Sequence, residues 1–197
     1  MKSHRLILFA VLMSLGAVAF AQSDVQRPLV QPDAQKPSPA PVPTEAQKSF
    51  ATMKSLAGEW EGPITVPEVP EMSGGKPLHV SMRVTSRGNA LVHELQEAGT
   101  PLDATKYDHP VTMLYVEGDQ LTLIHYCDAG NRPRMTGKQS PDGKTIDFEF
   151  KDISGSTEYH MHHSLFTIVD ANHHTEEWTF MMKDKPIHAH IDLHRIN

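Results

Sequence analysis

The chain has 197 residues, with 18 basic and 24 acidic side chains and a net charge of −6 when the histidines are neutral. An acidic chain without basic clusters argues against nucleic acid or an anionic membrane surface as its main partner. Cys127 is the one cysteine, so no intramolecular disulfide can form and the fold must rest on its core.

Residues 1–21 read as an export leader. Lys2 and Arg5 precede the apolar run Leu6–Met13, and Ala19-Phe20-Ala21 ahead of Gln22 matches a small-x-small cleavage pattern. The apolar run is shorter than the roughly 18 or more residues of a membrane span. The expectation is a released protein, periplasmic or extracellular, with no membrane span in the mature chain. Loss of Lys2 and Arg5 would take the net charge from −6 to −8. Residues 22–43 hold six prolines and little apolar bulk, as expected of an extended, disordered tether. Residues 44–197, 154 in all, suit one domain with its own core.

That domain opens with a helix. Ala46, Phe50, Met53, Leu56 and Ala57 recur at helical spacing, Thr44 and Gln47 form a capping-box pair, and Gly58 marks the stop. Period two then takes over. Strands are predicted near 59–66, 78–86, 90–97, 110–117, 120–127, 133–139, 145–152, 158–169, 174–183 and 186–195. Tight turns separate most of them, among them Arg87-Gly88-Asn89, Gly118-Asp119 and Ser140–Lys144. Ten short antiparallel strands behind one leading helix predict an all-β, closed up-and-down barrel, with a β-sandwich as the alternative.

The segment Leu56-Ala57-Gly58-Glu59-Trp60-Glu61-Gly62, between a helix and a string of hairpins, resembles the opening of calycin barrels. These include lipocalins, fatty-acid-binding proteins and haem-binding nitrobindin-like barrels. The stretch His125–Met135 (HYCDAGNRPRM), together with Glu176-Glu177-Trp178-Thr179-Phe180, resembles a group of exported bacterial lipocalin-like proteins over roughly residues 50–195. The resemblance implies a calycin-like barrel and no particular activity.

Twelve of the thirteen histidines follow the leader, and hairpin register sorts them by face. Lys183 set opposite Pro186 pairs Trp178 with Ile191 and Glu176 with Leu193 on an apolar face. His188, His190 and His194 then fall on the other face. Val169 set opposite His174 places His163, His174 and Glu176 on the apolar face and His160 and His162 outside. Val84 opposite His93 puts His93 inside. Both faces of 120–127 are apolar, so either can hold His125 and Cys127.

Two constellations result. The inner one is His93, His163 and Glu176, joined by His125 and Cys127 if these point inward. The outer one is the pair His160 and His162 beside His188 and His190. Alternate residues on a strand point the same way, so H-x-H pairs suit chelation of Zn²⁺ or Cu²⁺. Asn131 and Arg134 follow strand 120–127 and suit a barrel rim, where the Arg134 fork would take a carboxylate; turn-shaping and surface pairing are the plainer roles. No nucleophile elbow, P-loop, dinucleotide fingerprint or HExxH motif occurs. The expected function is binding of a small, partly apolar molecule, with haem as one version implied by the nitrobindin-like resemblance. His93, His163, Glu176 and His125 would line that site with Asn131 and Arg134. The alternative is a histidine-based Zn or Cu metalloprotein, hydrolytic or redox, using His93, His163 and Glu176 or the outer set. Enzymatic activity, ligand identity and oligomeric state are left open by the residues.

Overall fold

Alternating apolar and polar residues from Gly58 onward build a single antiparallel sheet that closes on itself. The computed structural model describes residues 42–196; the expected export leader, most of the expected tether and Asn197 lie outside the described residues. Helix α1 (Glu45–Ser55) is followed by β1 (Gly58–Gly62), β2 (Ile64–Thr65), β3 (Leu78–Thr85), β4 (Ala90–Glu97), β5 (Val111–Glu117) and β6 (Gln120–Tyr126). The chain continues through β7 (Arg132–Gln139), β8 (Thr145–Ser154), β9 (Tyr159–Asp170), β10 (His173–Met182) and β11 (Lys185–Arg195).

Strands β3 to β11 each pair with the next, and β1 closes the barrel by pairing with both β3 and β11. The predicted strand 59–66 is broken in two because Pro63 has no N–H to give to the ladder. Its carbonyl still accepts from the Asp192 N–H at 3.2 Å. Because β1 and β2 both run along β11, they count as one broken strand and the barrel is ten-stranded. This is the up-and-down barrel with a leading helix that the sequence predicts, and the sandwich alternative falls away.

Helix α1 begins as expected, with Thr44 and Gln47 exchanging capping-box hydrogen bonds. Its apolar face carries Phe50, Met53 and Leu56 onto one end of the barrel. Lys54 reaches the turn before β4, and Thr52 bonds Gln139 at the end of β7, which fixes that end as the covered one. Trp60 is fully buried below the helix, and its Nε1 donates to the Leu56 carbonyl at 2.8 Å. Leu91, Leu114, Leu123, Met135, Phe148 and Phe166 fill the lumen behind it. Among the described residues no helix is long and apolar enough to cross a membrane.

The closure depends on close backbone approach. A Cβ built at Gly62 would lie 1.6 Å from the Asp192 carbonyl oxygen, so only glycine lets β1 meet β11 there. Gly62→Ala is therefore expected to cost at least about 2 kcal/mol in urea unfolding, whereas Gly75→Ala, with open space around it, should stay within about 0.5 kcal/mol.

Candidate functional site

Strand β10 carries His174-Thr175-Glu176-Glu177-Trp178, and its period of two turns His174, Glu176 and Trp178 into the barrel. Glu176 is fully buried. An isolated carboxylate in that position would be strongly disfavoured, so it needs donors. Trp178 Nε1 donates to Oε2 at 2.9 Å and His174 Nε2 to Oε1 at 3.1 Å. From β4, across the lumen, His93 Nε2 reaches Oε1 at 3.1 Å and Oε2 at 3.0 Å. Burial alone would raise the Glu176 carboxyl. The charge of His93 and the hydrogen bonds from His174 and His93 outweigh it and hold the group well below the usual carboxylate range.

The anion orients the rings around it. A carboxylate only accepts, so Nε2 of both histidines carries a hydrogen toward it and Nδ1 is the atom turned away. Neither Nδ1 has a protein partner. His174 is wedged edge-on against Trp60, with ring centroids 4.2 Å apart, and serves the core. His93 stands at the other side of the cluster and borders open space.

That space is a cavity of about 170 Å³ at the barrel end opposite α1. His93, His125 and Trp178 form its polar wall; Ile64, Leu95, Met161, Phe180, Ala189 and Ile191 supply most of the rest. His125, on β6, packs against Trp178 at 5.7 Å and shares a 2.9 Å hydrogen bond between Nδ1 and Thr112 Oγ1. Its Nε2 has no protein partner. Burial, followed by repulsion from His93, pushes His125 down to about 4, so the ring is neutral near pH 7. The loops after β4 and β6 bring Asp108, Cys127 and Asp128 to the same cavity. Burial pushes the Cys127 thiol up, which keeps it from acting as a thiolate nucleophile. A groove of about 1050 Å³ between α1 and strands β6–β8 is far larger, but it is open and lined mainly by polar side chains such as Lys138, Gln139 and Ser140.

The structure brings together His93, Glu176 and His125 and corrects the place of His163. A bulge between His173 and His174 shifts the β9–β10 register by one residue, which turns His163 out of the barrel opposite Thr179. There its Nε2 bonds Asp147 at 2.7 Å. Ser164 and Phe166 take the interior positions instead. The last hairpin is also offset, with Met182 opposite Lys185 and Trp178 opposite Ala189, but by two residues, so the faces are unchanged. Arg134 does not reach the cavity; it forks onto Asp152 at the surface, Nε to Oδ1 at 3.1 Å and Nη2 to Oδ2 at 2.5 Å. Asn131 is buried, and its Nδ2 donates to the carbonyls of Ser156 and Tyr159, tying two loops together away from the cavity. His160 and His162 contact each other at 3.1 Å beside Phe150, while His188 bonds Glu68, and strand β10 separates the two pairs.

The inner cluster offers hydrogens to an anion rather than lone pairs to a cation, and the third donor to Glu176 is an indole N–H, which is no metal ligand. It therefore reads as a satisfied carboxylate and not as a Zn²⁺ or Cu²⁺ centre. A porphyrin does not fit the cavity either, since 170 Å³ lies below the roughly 300 Å³ at which pockets begin to hold drug-sized molecules. His174, Trp178 and Thr112 are the residues that reading by face did not assign to the site. The H-x-E-x-W spacing of the first two with Glu176 is the signal that shows them.

Two outcomes test this geometry. Glu176→Gln sets an amide N–H against imidazole N–H groups and should lower stability by roughly 3–5 kcal/mol in urea unfolding. His125 has a lower pKa in the fold than in the unfolded chain, so unfolding takes up a proton between these values. Its contribution is fully present above about pH 6.5 and is lost as pH falls toward 4, by about 3 kcal/mol. Glu176, also lowered, adds a further loss only as pH falls below the ordinary glutamate value of 4.5. The pH dependence of wild type minus His125→Gln should therefore carry the first window alone.

The barrel is an architecture compatible with ligand binding, and the comparisons with known proteins bear on that architecture. No protein-family model matches the sequence, and a search of curated proteins finds no match. Among solved structures, the chain is similar to Rv2717c from M. tuberculosis, with a TM-score of 0.52 and 15% identity over 76% of this chain and 98% of that one. A protein of unknown function from the DUF3598 family of Nostoc punctiforme PCC 73102 matches at a TM-score of 0.46 and 7% identity, over 73% of this chain and 49% of that one. At such identities the likeness to Rv2717c speaks for the fold alone.

Proposed function

We propose that the chain is a binding barrel for a small molecule with an apolar body and one or two neutral polar atoms, held in the cavity beside His93, His125 and Trp178. The observation that carries this reading is the pair of unpartnered ring nitrogens, His93 Nδ1 and His125 Nε2, on residues that wall a mainly apolar cavity with Asp108, Cys127 and Asp128 at its loop side. Buried polar atoms are nearly always hydrogen-bonded, and leaving one unmet costs about 1–3 kcal/mol. A ligand that supplies a hydroxyl or carbonyl there recovers this cost while burying its apolar part against Leu95, Met161 and Phe180. Near pH 7 His125 is neutral, which favours an uncharged ligand group at that ring. The size of the cavity favours a compact molecule over a lipid chain or a macrocycle.

The leader-like pattern of residues 1–21 supports a site of action outside the cytoplasm, in the periplasm or beyond the cell. No catalytic step is needed to account for the site. Its groups are placed to orient a ligand, and Cys127 is held as a thiol.

Phenol and 1-hexanol serve as probes. Either at saturating concentration should raise the melting temperature and change the Trp178 fluorescence, with stabilisation following the logarithm of ligand over Kd. Leu95→Trp, which fills the cavity, should abolish both effects, and His125→Phe should weaken the alcohol but spare toluene. Equal responses of wild type and Leu95→Trp would refute binding in this cavity.

A further inference from the structure

We propose a second site, on the outer wall of the barrel, at which His173, Asp192 and His194 bind one first-row transition-metal cation, Zn²⁺ or Cu²⁺. Register brings these residues together. His173 on β10 stands opposite His194 on β11, and Asp192 precedes His194 by two, so all three share the outer face. The alternate residues, His174, Ile191 and Leu193, are buried inside.

The side chains are arranged as donors around one point. The two imidazoles stack with centroids 4.3 Å apart and planes 17° from parallel, and the Nε2 atoms of both face Asp192. His173 Nε2 lies 2.6 Å and His194 Nε2 3.5 Å from the same Asp192 oxygen, Oδ1. In a tetrahedral zinc site with bonds near 2.0–2.1 Å, neighbouring donor atoms are about 3.3 Å apart. The two observed distances bracket that value, and the three donor atoms all lie within 4.8 Å of one another. Binding moves the single hydrogen of each neutral ring from Nε2 to Nδ1, so that the Nε2 lone pair faces the cation.

The charge balance around Asp192 agrees with this. Among the described residues no lysine or arginine pairs with it. Arg195, its near neighbour, is turned elsewhere: the guanidinium lies 4.0 Å over Trp60 and donates to the carbonyls of Ala57 at 2.9 Å and Ala171 at 3.1 Å. On the other side β1 places a further acid, Glu61, in register with His194. Two imidazoles and a carboxylate favour Zn²⁺ or Cu²⁺ over Mg²⁺ or Ca²⁺. Three protein ligands leave a position for water or for a small anionic group, which is the pattern of an open site and not of a closed structural one. The cluster Asp147, Glu149 and His163 has a single imidazole and makes a useful control.

The test is calorimetric titration of the untagged chain with ZnCl₂ near pH 7, with Co²⁺ absorption as a second readout of ligand geometry. One cation per chain is expected. His173→Ala, His194→Ala and the shape-conserving Asp192→Asn should each weaken it roughly tenfold or more, while His163→Ala and His188→Ala leave it unchanged. Binding should also weaken near pH 5, where protons compete for the imidazoles. Circular dichroism of Asp192→Asn separates loss of the site from loss of the fold. Absence of Zn²⁺ binding, retention of full affinity in folded Asp192→Asn, or loss of it in His163→Ala or His188→Ala would each overturn the proposal.

Discussion

Glu176 lies inside a closed barrel with no exposure to water, and its charge is held by N–H groups from His93, His174 and Trp178. Each donor comes with a structural demand. His174 and Trp178 share its face of β10 because of the two-residue period, so they follow from the local sequence. His93 arrives from β4, and that contact exists only when the barrel is closed and β4 is in its observed register. The buried anion thus couples a local pattern to the global topology, and a slip of β4 by one residue would leave a charge unpaired in the core.

The same interaction shapes the cavity. By accepting a hydrogen bond from His93 Nε2, Glu176 fixes which ring nitrogen is turned away from it. The charge at His93 in turn reinforces burial in keeping His125 neutral. The lumen is therefore divided. Toward α1 it is filled by Trp60, Leu91, Leu114 and Phe148, and toward the opposite end it remains open beside two imidazoles. Packing supplies the stability at one end and tolerates a void at the other, which is the division expected where a rigid scaffold carries a binding site. The outer wall is chemically separate. Several of its histidines contact carboxylates, and His173 and His194 share one, Asp192.

Much of the fold was legible because strands of period two and tight turns leave few arrangements for ten consecutive segments. The capping box at Thr44, the interior position of His93 and the H-x-E-x-W pattern of β10 could all be read from spacing. An error of two residues in the last hairpin did no harm, since parity decides the face. The bulge at His173 and His174 was different. One extra residue on β9 reverses its side chains from Ile168 back to His163, until a second shift at Thr179 and Phe180 resets them, and nothing in the composition announces either, so His163 belongs with Asp147 and not with Glu176. Arg134 and Asn131 had the right chemistry for a rim, but their partners, Asp152 and the carbonyls of Ser156 and Tyr159, lie about twenty or more residues away in sequence. Long-range pairing of that kind is not encoded in local pattern.

The central claim is that His93 and His125 stand at a ligand cavity, organised by a buried Glu176 anion. The most direct measurement is imidazole nitrogen NMR of the histidines through a pH titration, with and without phenol. Expected are a His93 ring with a hydrogen at Nε2, a His125 ring that stays neutral until about pH 4, and phenol-induced shifts at both but not at His163. A His125 that titrates near the ordinary histidine value of 6.5, with shifts indifferent to phenol, would overturn this reading.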